Sequence, residues 1–260
     1  MRTIYVIGMG AGDPEHLTVQ AVKALNEVDV FFVLDKGGAA AELTVLREEI
    51  LRRYVQRPGF RVVRGQDPDR DRAADRYGAA VHDWRRRRVD VCERLVREEL
   101  ADGQVGAFLV WGDPALYDGT IGIVRDVLRR TAMEVDWRVL PGISSVSALA
   151  ARHRVSLNQV AGAVQITTGR RLRAGLPDGV DDVVVMLDAQ AAFASLAEAD
   201  LDIYWGAYVG TPDEILVAGP VREVTEQIIA ARAEARARKG WIMDSYLLRR
   251  RSPGAEGDRC

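Results

Sequence analysis

Cysteine is almost missing, with Cys92 and Cys260 the only two in 260 residues. Two thiols so far apart supply neither a disulfide framework nor the paired spacing of a zinc site. Histidine is equally sparse: His16, His82 and His153 lie far apart, each reads as a surface or helix-end residue, and no metal is expected. No apolar run approaches the roughly 20 residues that span a bilayer. The chain enters a strand pattern at Ile4, Tyr5, Val6 and Ile7 without the basic, apolar and cleavage-site regions of a secretory leader. The expected setting is cytoplasmic, with no membrane partner. A formal net charge of −2 argues against a general nucleic-acid binder. Lysine is rare as well, three residues against 33 arginines. Arginine forks suit carboxylate and phosphate ligands, although genomic base composition produces the same bias and accounts for most of them.

What is present is an α/β pattern. Apolar runs over 3–8, 29–34, 60–64 and 105–110 read as strands, separated by helical spacing over 17–28, 41–54 and 77–100, which implies a parallel sheet with crossover helices. Residues 120–130 read as a helix. A second unit is expected to follow, with strands over 137–140, 163–168, 183–187, 203–209 and 214–218 and helices over 146–151, 193–199 and 221–238. Residues 245–251 read as a last edge strand whose charges discourage edge-to-edge pairing. The charged stretch Asp67–Asp75 reads as a surface loop, and the run Arg85–Arg88 as a solvated helix face.

The run over 105–110 is the one the rest is organised around. It stops at Trp111-Gly112-Asp113-Pro114, where Pro114 cannot donate to a ladder and Gly112 permits unusual backbone angles. Asp113 is thereby left at the carboxyl end of a central strand, where open α/β sheets bind ligands. The glycine-rich loop Gly8-Met9-Gly10-Ala11-Gly12-Asp13, with Asp35 after the second strand, resembles a dinucleotide fingerprint. However, Asp13 stands where that fingerprint needs glycine or alanine, and a carboxylate repels a pyrophosphate. No Gly-Lys-Ser/Thr follows, which removes a Walker loop.

Taken together, IGMGAGDPEHLT, DVFFVLDKG, VWGDPALY, LPGISSVSALAAR and YWGAYVGTPDE resemble the signature blocks of the tetrapyrrole methylases, in order and across nearly the whole chain. GAGDPEHLT, FFVLDKG and HDWRRRR resemble the branch that methylates precorrin-5 on the aerobic cobalamin route and releases an extruded acetyl group as acetate. Ala11 stands where the broader family has proline.

The resemblance implies two α/β domains, here 1–118 on the substrate side and 119–260, with S-adenosylmethionine in the cleft at their junction, and a homodimer. It implies that Ala11, Gly112, Asp113, Leu116, Tyr117, Ser144, Ser145, Met186, Tyr208 and Gly210 bind the cofactor. Physically, glycine lets backbone approach a ligand, and Ser144 and Ser145 either bind the methionine or ribose part or cap a helix. Met186 offers an adaptable thioether. Asp35 is the candidate general base, its alternative being to fix its loop. Arg85–Arg88, Arg170 and Arg171 are candidates to hold substrate carboxylates. Alternative readings are another precorrin or uroporphyrinogen C-methyltransferase, a nicotinamide-dependent oxidoreductase, or a non-catalytic tetrapyrrole-binding protein.

Overall fold

The computed structural model describes residues 1–35, 41–69, 77–131 and 133–251. Expectations about Lys36-Gly37-Gly38, most of the 67–75 loop and Cys260 lie outside the described residues. Two compact α/β units divide at Ser144/Ser145, later than the expected 118/119.

In the first unit, strands β1 (Arg2–Gly8), β2 (Val30–Asp35), β3 (Arg61–Gln66), β4 (Val105–Val110) and β5 (Val135–Leu140) form one sheet of order β3-β2-β4-β1-β5. Every pairing in it is parallel. Alternation of side chains sorts the core into two layers. Tyr5, Ile7, Phe31, Ala107 and Leu109 face α1 (Val19–Leu25) and α2 (Ala41–Tyr54) through Ala21, Leu25, Leu46 and Ile50. Ile4, Val6, Phe32, Phe108 and Val110 face α3 (Tyr77–Glu99) and α4 (Thr120–Arg130) through Val89, Val96, Ile123 and Val127. The late boundary follows from β5, which pairs β1 from Arg2↔Val135 to Ile7↔Leu140. The strand expected to open the second unit completes the first sheet instead.

The second unit has α5 (Ser145–His153), β6 (Val164–Thr168), α6 (Gly169–Leu172), β7 (Asp182–Met186), β8 (Leu201–Ala207), β9 (Ile215–Pro220), α7 (Val221–Lys239) and β10 (Asp244–Arg250). Its sheet is mixed, in the order β6-β7-β10-β8-β9. The last strand is not at an edge: β10 runs antiparallel between β7 and β8. Its run Tyr246-Leu247-Leu248 is fully buried, which suits a central strand. The arginines that suggested an edge serve its end, where Arg249 donates to buried Asp182 at 2.5 Å and Arg250 to the Val180 carbonyl at 3.2 Å. The helix expected at 193–199 is a short 3-10 turn, Ala192–Leu196. Two side chains compete for its backbone: Asp188 takes the Ala192 N–H at 2.6 Å, and the Ser195 hydroxyl donates to the Ala192 carbonyl at 2.9 Å.

Candidate active site

In the first unit β1 and β4 are neighbours, yet β1 leads into α1 on one face and β4 into α4 on the other. The connections therefore leave on opposite faces of the sheet between two parallel neighbours, the arrangement outside whose carboxyl ends open α/β sheets bind ligands. Both loops that the sequence singled out leave the sheet there.

Glycine builds this end of the sheet. A Cβ on Gly8 would lie 2.5 Å from the Gly142 nitrogen, and one on Gly142 would lie 2.2 Å from the Gly112 carbonyl oxygen. The ends of β1, β4 and β5 thus cross backbone against backbone. Gly10 and Gly112 exchange two hydrogen bonds, Gly112 N–H to Gly10 O at 2.8 Å and Gly10 N–H to Gly112 O at 3.3 Å. With the Gly10 amide so engaged, and α1 starting only at Val19 behind its Thr18 cap, the loop does not aim glycine amides from a helix start at a pyrophosphate. Asp13 caps its own 3-10 turn, accepting from Glu15 N–H at 2.8 Å. The nicotinamide reading loses its structural basis.

Asp113 joins two of these loops. One carboxylate oxygen accepts from Ala115 N–H at 2.7 Å and the other from Gly142 N–H at 2.9 Å, while its carbonyl accepts from Leu116 N–H at 3.1 Å. The aspartate expected to meet the cofactor therefore orders the ledge itself. Asp113→Asn keeps one acceptor and turns an amide donor toward the other N–H. We expect a loss of about 1–2 kcal/mol in chemical unfolding.

On the same rim Tyr117 is a non-glycine residue at φ 51° and is 47% exposed. Ala11 is buried and Leu116 half-buried, and Ile143 and Ser144 follow Gly142. Backbone strain and exposed apolar surface coincide at functional loops more often than in plain turns. Asp35 closes β2, and its carbonyl accepts from Asp67 N–H at 2.8 Å. The β2–β4 pairing ends at Phe32↔Phe108, so β2 parts from β4 before reaching Asp35.

In the second unit Ser145 opens α5, Met186 ends β7 half-buried, and Tyr208 and Gly210 follow β8. Tyr208 is buried at φ 49°, with its hydroxyl on the Trp241 carbonyl at 2.6 Å. Gly210, at φ 83°, donates its N–H to Glu214 at 2.9 Å. Gly8, Gly142 and Leu187 were not among the candidate site residues, although Gly8 opened the glycine-rich loop. Gly142 had a signal in Pro141-Gly142, whereas Leu187, at φ 55° and 67% exposed, looks like an ordinary strand-end leucine.

The arginine run meets acids. Arg85 pairs with Asp126 at 3.1 Å, Arg86 and Arg87 with Asp83 at 2.5 and 3.0 Å, and Arg88 with buried Asp67 at 2.8 Å. Arg170 and Arg171 are exposed on α6. Burial pushes the Cys92 thiol up to about 12, which removes it as a nucleophile at neutral pH. Among the described residues no group of three or more His, Cys, Asp or Glu stands where it would hold a metal ion. No helix among them is long and apolar enough to cross a membrane.

The family model for tetrapyrrole (corrin/porphyrin) methylases matches residues 3–225. The chain belongs to this family. It is 47% identical over 258 residues to precorrin-6A synthase [deacetylating] of Sinorhizobium sp, covering 99% of this chain and 98% of that protein. It is 32% identical over 142 residues to precorrin-2 C(20)-methyltransferase of the same source, covering 54% of each. Among solved structures, a cobalamin-synthesis-related protein (CobF) of Corynebacterium diphtheriae superposes with a TM-score of 0.83 at 36% identity, over 96% of this chain and 98% of that one. A uroporphyrin-III C-methyl transferase of Thermus thermophilus complexed with S-adenosylhomocysteine shares the fold, with a TM-score of 0.57 at 20% identity, covering 95% of this chain and 91% of that one.

Proposed function

We propose that the chain is a precorrin-6A synthase (deacetylating): it methylates a ring carbon of precorrin-5 with S-adenosylmethionine, and water cleaves the extruded acetyl group, which leaves as acetate. The observation that carries this reading is the end-to-end similarity to a protein of that name, 47% identical over 99% of the chain. The C(20)-methyltransferase similarity covers only about half of the chain, so it favours the shared fold and chemistry over that particular substrate.

The residues present suit the methyl donor. Exposed apolar side chains (Tyr117 and Ile143 in one unit, Leu187 in the other) stand beside strand ends rich in backbone carbonyls and amides. Such surfaces fit a ligand that is part flat ring and part zwitterion. By the family resemblance, Ala11, Gly112, Asp113, Leu116, Tyr117, Ser144, Ser145, Met186, Tyr208 and Gly210 are the residues that would hold it. When bound, S-adenosylmethionine supplies an electrophilic methyl group.

The protein's share is then positioning, because in-line displacement rewards alignment above all. The Asp113 ties keep the ledge rigid. Asp35, at the end of β2, accepts the proton that a conjugated ring N–H loses as the electron-rich ring carbon is alkylated. Some of Arg85–Arg88, Arg170 and Arg171 hold carboxylates on the macrocycle rim. By the family resemblance the protein is a cytoplasmic homodimer, which light scattering of the purified chain checks.

Incubation with precorrin-5 and labelled S-adenosylmethionine tests the reading by mass spectrometry and acetate assay. The expected result is one added methyl with one acetate released; methylation without acetate loss would remove the deacetylating assignment. Asp35→Asn should lower kcat about 100-fold or more with S-adenosylhomocysteine affinity unchanged. Wild-type turnover in the folded variant would leave Asp35 a purely structural residue.

A further inference from the structure

Asp35 takes its position from the outer side of the first sheet. The pairing of β2 with β4 stops at Phe32↔Phe108, while its pairing with β3 continues to Asp35↔Gln66. Among the described residues, Val33, Leu34 and Asp35 are therefore laddered on the β3 side alone. β3 is itself an edge strand, so Asp35 ends a two-stranded ribbon. Such a ribbon is marginal in water unless another element packs against it.

Helix α3 supplies that support. Gly65 lies so close to it that a Cβ there would stand 2.9 Å from the Val91 and Leu95 side chains. One turn earlier in α3, Arg88 pairs at 2.8 Å with Asp67, just beyond the strand, and their side chains are 13% and 3% exposed. The Arg88 guanidinium lies over the Trp84 ring, 4.8 Å from its centre, and the Trp84 indole N–H donates to the Pro68 carbonyl at 2.8 Å. Arg87 donates to the Asp69 carbonyl at 2.9 Å. Residues 84, 88, 91 and 95 recur at helical spacing, so one face of α3 follows the chain from Gly65 to Pro68. The run read as a solvated face turns inward at Arg88. Pro68 adds a local reason, because the residue before a proline is held to extended backbone. Asp67 accordingly prolongs the ladder, its N–H donating to the Asp35 carbonyl at 2.8 Å. Apolar side chains of similar volume would hold α3 against β3 as well as a buried ion pair does. The ion pair and the bond to Pro68 also fix where the strand end points.

We propose that Trp84, Arg88 and Asp67 are positioning residues for methyl transfer: they clamp the end of β3 and, through the Asp67 N–H, hold Asp35 where it accepts its proton. This rests on the reading of Asp35 as the base of the methyltransferase above. Trp84→Phe keeps the ring and removes the bond to Pro68. With precorrin-5 it should lower kcat about tenfold. KM for both substrates and the affinity for S-adenosylhomocysteine should stay within about twofold of wild type. Asp67→Leu with Arg88→Met replaces the ion pair by apolar side chains. That double variant should unfold at the wild-type denaturant midpoint or above it, yet lose kcat at least as strongly. Coupling to Asp35 separates positioning from general loosening of the fold. In an Asp35→Asn background Trp84→Phe should cost nothing further, since a clamp acting through Asp35 then has no base to position.

Wild-type kcat in folded Trp84→Phe overturns the proposal, and so does an undiminished loss in the Asp35→Asn background. Should Trp84→Phe not fold, the Asp67→Leu, Arg88→Met variant decides by the same comparison. Wild-type turnover by Asp35→Asn overturns the base reading together with the proposal, and a wild-type chain that leaves precorrin-5 unmethylated overturns the methyltransferase reading with both. A slow Asp35→Asn beside unaffected clamp variants overturns the proposal only.

Discussion

Gly142→Ala is expected to destabilise the first unit by more than about 3 kcal/mol and to abolish binding of S-adenosylhomocysteine. The new Cβ would lie 2.2 Å from the Gly112 carbonyl oxygen and 2.8 Å from the Gly8 Cα. Both obstacles are backbone, so no rotamer change relieves the overlap. To make room, β5 must shift against β1, or the Gly112 loop must move away from it. Either movement breaks the 2.9 Å bond between Gly142 N–H and Asp113 and separates the loops from which the ledge is made. Gly119→Ala is the matched control, because that glycine has nothing within 4 Å of its Cβ position and keeps a helical backbone at φ −93°. It should change stability by less than about 1 kcal/mol. Chemical unfolding of both variants checks this. Wild-type stability in Gly142→Ala would mean that the three strand ends do not cross as closely as described.

The second large effect belongs to Arg232→Ala. The Arg232 and Asp244 side chains are 8% and 5% exposed, and removing one partner of a buried pair strands the other. The expected cost is about 3–5 kcal/mol at neutral pH. Acid should soften it, and the sign follows from the Asp244 carboxyl. Burial already raises its pKa, with Arg232 as the main opposing influence; without Arg232 it rises further. A raised folded-state pKa contributes stability that is fully present below the unfolded value, near pH 4 for a carboxylate, and is lost as pH rises through the folded value. The deficit against wild type should therefore shrink on acidification and be largest above the folded-state pKa. Unfolding curves at several pH values measure it. A deficit independent of pH would show that Asp244 is not the stranded charge. Replacing both partners, Arg232→Met with Asp244→Leu, should recover much of the loss in stability.

Much of the first unit was legible in the residues themselves. Runs such as Val105–Val110 and Val30–Asp35 are apolar on both faces because a parallel sheet is covered on both faces. The breakers after them mark the strand ends, so Gly112, Asp113 and Pro114 alone point to a candidate ligand site. The five sequence blocks then pointed to the family. The second unit was harder to read. Its last strand carries arginines that suit an edge, and only pairing with two distant strands shows Asp244–Arg250 in the middle of the sheet. The domain boundary was misplaced for the same reason: nothing local in Val135–Leu140 says that it pairs with residues 2–7.

The sequence by itself determined the fold class, the family and the candidate loops, because these depend on local periodicity, chain-breaking residues and motif order. Only the tertiary structure decided which residues those loops touch. It showed Asp113 as a tie between two strand ends, set Gly8 and Gly142 backbone against backbone, and brought Asp188, Arg232 and Asp244 together near an exposed leucine. Those contacts join residues distant in sequence, and their energies come from burial and close approach, which exist only once the sheets have formed.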